Sequence, residues 1–362
     1  MKKILFFLCQ LCAMTSAYWR VENHEIFYDT KPVRFKGINW YGLETSARCI
    51  LGLDHHSIDY YLDELASRNF NAIRLPVSLQ MILYDHRWVD SAYVTQEPRA
   101  QNISTLEITD LLVYSAQTRG IMILMDIHRL QYGISQPLWY IPGNLNYTED
   151  CLIEGINAIV DRYKFYSNFL GVDIYNEPHY DANYGSGVPT LDWRLFIEKC
   201  VESVMGHHRD ADFLLFVGGM DWGKNMSQFG HYPPNLPTEF ANRVVYSPHL
   251  YGPTLNYFSS LDKSNLYFLW DSLFGYMITS QNFNIFVGEW GGRFQDEKDR
   301  KWLDTFSDYL IERGITNQFF WALNPNSKDV QGLLKNWDEW NEEIQEFLDR
   351  IQPNPTVMFD IL

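Results

Sequence analysis

Eight short apolar stretches alternating with amphipathic segments constrain the fold of this chain more than any other feature. Residues 32–40, 71–76, 121–126, 213–217, 243–247, 285–289 and 316–321 are rich in the branched and aromatic residues that favour a pleated interior. So is the stretch that begins at Gly171 and stops on Asn176, Glu177 and Pro178, since a proline cannot donate to a continuing ladder. Between the strands, residues 57–68 repeat Ile58, Tyr61, Leu62 and Leu65 at helical spacing. Residues 105–119 repeat Leu106, Ile108, Leu111, Leu112 and Ala116 before a stop at Gly120. Residues 153–163, 193–205 and 301–312 read as further helices, and residues 18–29 as a small hairpin leading in. Eight strand–helix alternations without a linker or a break in composition predict one closed (β/α)8 TIM barrel, a catalytic unit spanning residues 18–362. In that architecture functional groups occupy the C-terminal ends of strands. Arg74, His128, Glu177, His249, Glu289 and Trp321 all fall there.

The first 17 residues stand apart from the fold. Lys2 and Lys3 precede an apolar run from Ile4 to Met14, and Thr15-Ser16-Ala17 offers a small-residue cleavage site, the pattern of a secretory signal peptide. The run is too short to span a bilayer, so secretion is expected rather than anchoring. Losing Lys2 and Lys3 with the leader takes the net charge from −16 to −18. Such an acidic chain is a poor partner for nucleic acid or an anionic membrane surface, whereas a neutral polymer remains acceptable. Asn102, Asn146 and Asn225 begin N-x-S/T sequons that a eukaryotic secretory route could glycosylate. Cys9 and Cys12 would leave with the leader. Of the remaining three, Cys49 and Cys151 lie in loop-like surroundings and form the candidate disulfide, while Cys200 falls in a helical stretch. No C-x-x-C or H-E-x-x-H spacing points to a metal or other cofactor, and a zinc site from His128, His179 and His249 is disfavoured. The chain is expected to act as a monomer.

Glu177 and Glu289 carry the functional argument. Each ends an apolar strand, the second within Gly288-Glu289-Trp290-Gly291-Gly292. Two carboxyls at the ends of parallel strands suit double-displacement glycoside chemistry, in which one donates and recovers a proton while the other attacks the sugar carbon. Aromatic residues make up 16% of the chain, which fits either a bulky core or a cleft with stacking platforms for sugar rings.

Six pieces in barrel order give the chain a family likeness: Ile73-Arg74-Leu75-Pro76, Asp126-Ile127-His128, Asn176-Glu177-Pro178, Tyr246-Ser247-Pro248-His249-Leu250-Tyr251, Gly288-Glu289 and the late Trp321. With residues 33–45 and 324–335 they span nearly the whole chain beyond the leader, which resembles the family 5 glycoside hydrolases, the cellulase-type endoglucanases. The resemblance implies Glu177 as acid/base, Glu289 as nucleophile, and Arg74, His128, Asn176, His249, Tyr251 and Trp321 as the supporting shell. Arg74 and the Tyr251 hydroxyl would favour charge on Glu289. Asn176 would bond the sugar 2-hydroxyl, His128 and His249 would bind hydroxyls or orient the carboxyls, and Trp321 would form the floor under the reacting sugar. Trp40, Trp139, Trp222 and Asn324 are the candidates for flanking subsites, with core packing as the alternative for the three tryptophans. The expected activity is endo-β-1,4-glucan hydrolysis with retention; a β-mannanase or other β-glycanase on the same fold, and a binding protein on an inactive barrel, are its rivals.

Overall fold

Residues 18–258, 260–280, 283–327 and 330–362 are described by the structure, a computed structural model. The expected leader, with Cys9 and Cys12, lies outside them. The chain enters through strands β1 (Trp19–Glu22), β2 (Glu25–Tyr28) and β3 (Lys31–Val33), which form a three-stranded antiparallel sheet. This is one strand more than the expected hairpin, because the chain turns at Asp29, where φ is 54°, and folds back so that Val33 lies opposite Ile26. The first barrel strand therefore starts at residue 36 rather than 32.

Strands β4 (Lys36–Asn39), β5 (Ala72–Ser78), β6 (Met122–Arg129), β7 (Phe169–Asp173), β8 (Leu214–Gly218), β9 (Val244–Ser247), β10 (His249–Tyr251), β11 (Val287–Gly291) and β12 (Gln318–Phe320) pair in parallel, in the order β10-β11-β12-β4-β5-β6-β7-β8-β9. β9 and β10 are two halves of one barrel strand interrupted at Pro248, so the nine segments amount to the expected eight strands. A parallel bridge between Tyr246 and Ile285 closes the ring. Helices α1 (Ile58–Ser67), α2 (Leu79–Leu83), α3 (Thr105–Gln117), α4 (Glu149–Tyr163), α5 (Trp193–His207), α6 (Thr238–Ala241), α7 (Lys263–Trp270), α8 (Tyr276–Ser280), α9 (Glu297–Arg313) and α10 (Glu342–Ile351) accompany them. Local signals set their ends: Ser104 and Glu107 form a capping box at α3, and Gly314 closes α9 in the left-handed conformation. α4 and α9 each begin four residues earlier than their apolar periodicity suggests, because Thr148 and Asp296 cap polar first turns.

Two apolar layers hold the barrel. One lies between strands and helices; the other fills the barrel itself, where Leu124, Leu170, Leu214, Phe216, Phe286 and Phe319 meet Trp19, Ile26 and Phe35 from the entry sheet. The entry sheet thus plugs the N-terminal end of the barrel and leaves the C-terminal end for chemistry.

The expected Cys49–Cys151 disulfide is not formed. Cys49 is buried in the core, whereas Cys151 stands in the first turn of α4, where its sulfur accepts from the Thr148 hydroxyl at 3.2 Å. Cys200 is also a free, buried thiol, as its place in α5 implies.

β7 carries the chain toward Glu177, and its geometry depends on Gly171. The pairing with β6 slips by one residue between Phe169 and Gly171, and a Cβ on Gly171, at φ 150°, would lie 1.9 Å from the Leu214 carbonyl oxygen of β8. That oxygen belongs to the barrel backbone and cannot rotate away. Gly171→Ala is therefore expected to lose about 3 kcal/mol of stability or more, the upper end for overpacking, in urea denaturation; a loss under about 1 kcal/mol would show that β7 can slide.

Candidate active site

Arg74 is the centre of the site. It points inward from β5, wholly buried, and its guanidinium reaches four neighbouring strands or their extensions. Its Nη1 donates to Glu289 Oε1 at 2.6 Å and to Asn39 Oδ1 at 3.1 Å, its Nη2 to Asp173 Oδ2 at 2.9 Å and Asn176 Oδ1 at 2.9 Å. Asp126 Oδ1 lies 3.0 Å from the same Nη2. A buried guanidinium survives desolvation only with such a set of carboxylates and amides around it.

Glu289 sits inside β11 and takes a second bond from the Tyr251 hydroxyl at 2.6 Å. Burial alone would raise its pKa, but the positive His249 and Arg74, with His128 and the Tyr251 hydroxyl, hold it at about 2. Asp126 and Asp173 differ: for them burial outweighs Arg74 and pushes both up to about 7. Among the three carboxyls on Arg74, Glu289 is the one held ionised across the acid range.

Glu177 lies four residues beyond β7, and its Oε1 is 3.0 Å from His249 Nδ1. The same nitrogen is 3.7 Å from Glu289 Oε2, and carboxylate oxygens of the two glutamates lie within 4.8 Å of each other. Against burial, the Glu289 charge and the contact with Glu177 raise the His249 pKa. His128 faces Asp126 at 2.6 Å and comes within 3.4 Å of the Asn176 amide; burial holds its pKa well below the ordinary value. Trp321 packs near-parallel to both His128 and Tyr41, with centroids 5.4 Å from each and interplanar angles of 15° and 7°. A cleft of about 380 Å³ opens over Glu177, Glu289, His249, Tyr251, Trp222 and Trp321.

The profile of the cellulases of glycosyl hydrolase family 5 matches residues 29–327. The chain belongs to that family. It is 34% identical to an endoglucanase of Paenibacillus polymyxa over 94% of this chain and 88% of that protein. It is also 29% identical to the major extracellular endoglucanase of Xanthomonas campestris over 87% of this chain and 66% of that one. Among solved structures, an endocellulase of Pyrococcus horikoshii crystallised as a variant with cellotetraose superposes with a TM-score of 0.84 at 27% identity, covering 93% of this chain and 99% of the other.

In this family 5 hydrolase the eight residues expected at the catalytic centre do come together. The flanking candidates divide. Trp222 lines the cleft, is 39% exposed, and stacks on His179 at 3.5 Å. Trp40 and Trp139 do not reach it: Trp40 is buried against Tyr61 with its indole N–H on the Leu51 carbonyl, and Trp139 is buried between Trp193 and Phe196 with its N–H on Glu149. Asn324 is buried as well; its amide brackets the Tyr41 backbone at 3.1 and 3.0 Å and so positions the ring under Trp321. Of the sequons, Asn102 and Asn146 are exposed, whereas the Asn225 amide donates to Asp221 and accepts from Ser227.

Asp126, Asp173, Asn39 and Tyr41 went unassigned as site residues in the sequence. The signal for the two aspartates was present: Asp126 shares a strand face with His128 two residues on, and Asp173 is a charge in an otherwise apolar strand.

If Glu289 is the attacking group, it must be ionised, and hydrolysis is lost as pH falls through its pKa. Tyr251→Phe removes a donor to the charged form, which raises that pKa. The acid limb of kcat/KM should move to higher pH by about one unit or more, since a hydrogen bond to a charged group is worth about 1.5–3 kcal/mol and one unit is about 1.4 kcal/mol. An unmoved limb in the pH profile would mean that Arg74 and His249 alone set the charge on Glu289.

Proposed function

We propose that this chain is a secreted endo-β-1,4-glucanase that hydrolyses internal bonds of cellulose or related plant cell-wall β-glucans with retention, Glu177 serving as acid/base and Glu289 as nucleophile. The observation that carries the reading is the closeness of the two carboxyls, oxygens within 4.8 Å, with opposite environments. Retaining enzymes hold their carboxyls about 5–5.5 Å apart, whereas inverting enzymes leave about 6.5–9.5 Å for a water. Family membership and the endoglucanase relatives support the same activity. The cellotetraose held by the Pyrococcus endocellulase supports a β-1,4-linked glucan in the cleft.

Glu289 Oε2 attacks the anomeric carbon from one face of the sugar while Glu177 gives its proton to the departing glycosidic oxygen. A covalent glycosyl-enzyme forms, and the proton lost by Glu177 leaves it a base for the water that then breaks the new bond. Asn176, held by Arg74 at 2.9 Å, is placed to bond the sugar 2-hydroxyl as positive charge develops on the ring. Trp321, which lines the cleft and packs against Tyr41 and His128, would offer an apolar face to the sugar C–H groups. The catalytic unit in this reading is residues 18–362, acting as a monomer without a cofactor after removal of the first 17. No helix among the described residues is long and apolar enough to cross a membrane. The Xanthomonas relative is an extracellular endoglucanase, which supports secretion.

Carboxymethylcellulose should release reducing ends faster than mannan, and proton NMR should show the β-anomer first; an α-anomer at the earliest time would exclude double displacement. The two glutamates are separated by leaving group. Glu177→Gln should still give a burst of phenolate from a dinitrophenyl cellobioside, followed by a slow phase that azide accelerates to a β-glycosyl azide. On cellulose, which needs the proton, the same variant should lose about 10²–10⁴-fold or more. Glu289→Gln should be inactive on both substrates. The reverse pattern would exchange the two roles.

A further inference from the structure

Two cations line the cleft without a part in the mechanism. Arg129 follows His128 at the end of β6, and Lys224 lies in the loop after β8, both half-buried. β6 and β8 are the strands on either side of β7, whose extension carries Glu177. The two cations therefore lie on either side of Glu177, the group proposed to give its proton to the departing glucan segment.

Neither has a carboxylate within 4.0 Å among the described residues, although the Arg129 charge is felt by buried Glu44 and Asp126. Arg129 donates to uncharged oxygens, the His128 carbonyl at 3.1 Å and Ser135 Oγ at 3.3 Å, and among the described residues no side-chain bond of Lys224 occurs. This is unusual in a chain with 45 acidic and 29 basic residues, where lysines and arginines elsewhere pair readily, as at Arg119 with Asp63 and Lys199 with Asp150. The cleft's two glutamates are engaged elsewhere: Glu289 bonds Arg74 and Tyr251, and Glu177 contacts His249. The net charge of −16 belongs to the whole surface. At physiological salt, with a screening length of about 8 Å, a substrate in the cleft meets chiefly the local cations.

We infer that the leaving-group side of the cleft accepts β-1,4-glucan that bears carboxylates, with Lys224 and Arg129 pairing those groups. The inference rests on the endoglucanase reading above and adds a substrate class to it. A matched pair of cello-oligosaccharides tests it, one neutral and one with a C6-carboxylate on a unit at the reducing side of the cleaved bond. The readout is the ratio of kcat/KM for the oxidised over the neutral substrate, in the whole enzyme. Each of Lys224→Gln and Arg129→Gln should lower that ratio about two- to fivefold, the range for a half-exposed ion pair, and Lys224→Arg should keep it. Raising NaCl should bring the wild-type ratio down to that of the variants. Lys224→Gln removes no side-chain hydrogen bond, so it reports even where Arg129→Gln disturbs the loop. A ratio equal in the wild type and Lys224→Gln, with the neutral substrate turned over normally, would overturn the inference and leave the endoglucanase reading intact. No wild-type turnover of the neutral substrate would overturn both.

Discussion

Arg74 is a charge placed where water cannot reach it, and most of the site follows from keeping it there. Desolvating a guanidinium costs several kcal/mol unless carboxylates and amides surround it. Here the surround comes from separate strands: Asn39 of β4, Asp126 of β6, Asp173 and Asn176 at the end of β7, and Glu289 of β11. Each partner also has a second role. Asp126 orients His128, Asn176 is aimed at the cleft, and Glu289 is kept anionic. Because burial leaves Asp126 and Asp173 near neutrality in their protonation balance, the attraction of Arg74 falls increasingly on Glu289 as the solution becomes acidic.

Such a network exists only if the ring of strands closes, since its members are far apart in sequence and adjacent only across the barrel. Closure depends on the strand interrupted at Pro248. Without an N–H at that position the ladder breaks, yet the Pro248 carbonyl still accepts from Gly288 at 3.1 Å, so β11 stays in register. The restarted strand brings His249 opposite Glu289, in contact with Glu177, and turns the Tyr251 hydroxyl onto Glu289. A motif legible as Tyr-Ser-Pro-His-Leu-Tyr is thus both a strand correction and a catalytic support.

How far the sequence disclosed this depended on the kind of signal. The barrel strands were legible because buried parallel strands read as continuous apolar runs, and the two cleft glutamates because they end such runs. The flanking residues were not. A tryptophan in a loop after a strand can turn toward the cleft or toward the helix layer with the same local pattern, and only packing partners decide: Tyr61 took Trp40, Trp193 and Phe196 took Trp139, and His179 holds Trp222 at the rim. Cys49 and Cys151 failed for a related reason. Loop-like composition says nothing of direction, and one thiol points into the core while the other sits in the first turn of a helix against its capping Thr148.

The two glutamates show why position along a strand matters to chemistry. Glu289 lies within β11, where neighbouring strands bury its side chain to 4% exposure and hold fixed donors against both oxygens. Glu177 lies beyond the end of β7, on an extension whose backbone still pairs through Ile174 and Asn176 but whose side chain retains 15% exposure. A nucleophile, the role proposed for Glu289, gains from a fixed direction and a stable charge, since it needs no exchange with solvent. An acid/base, the role proposed for Glu177, must give a proton to the departing sugar and then take one from an incoming water, so it has to face the cleft. Four residues of chain beyond the last ladder pair thus separate an anion held in place from a carboxyl that faces the cleft.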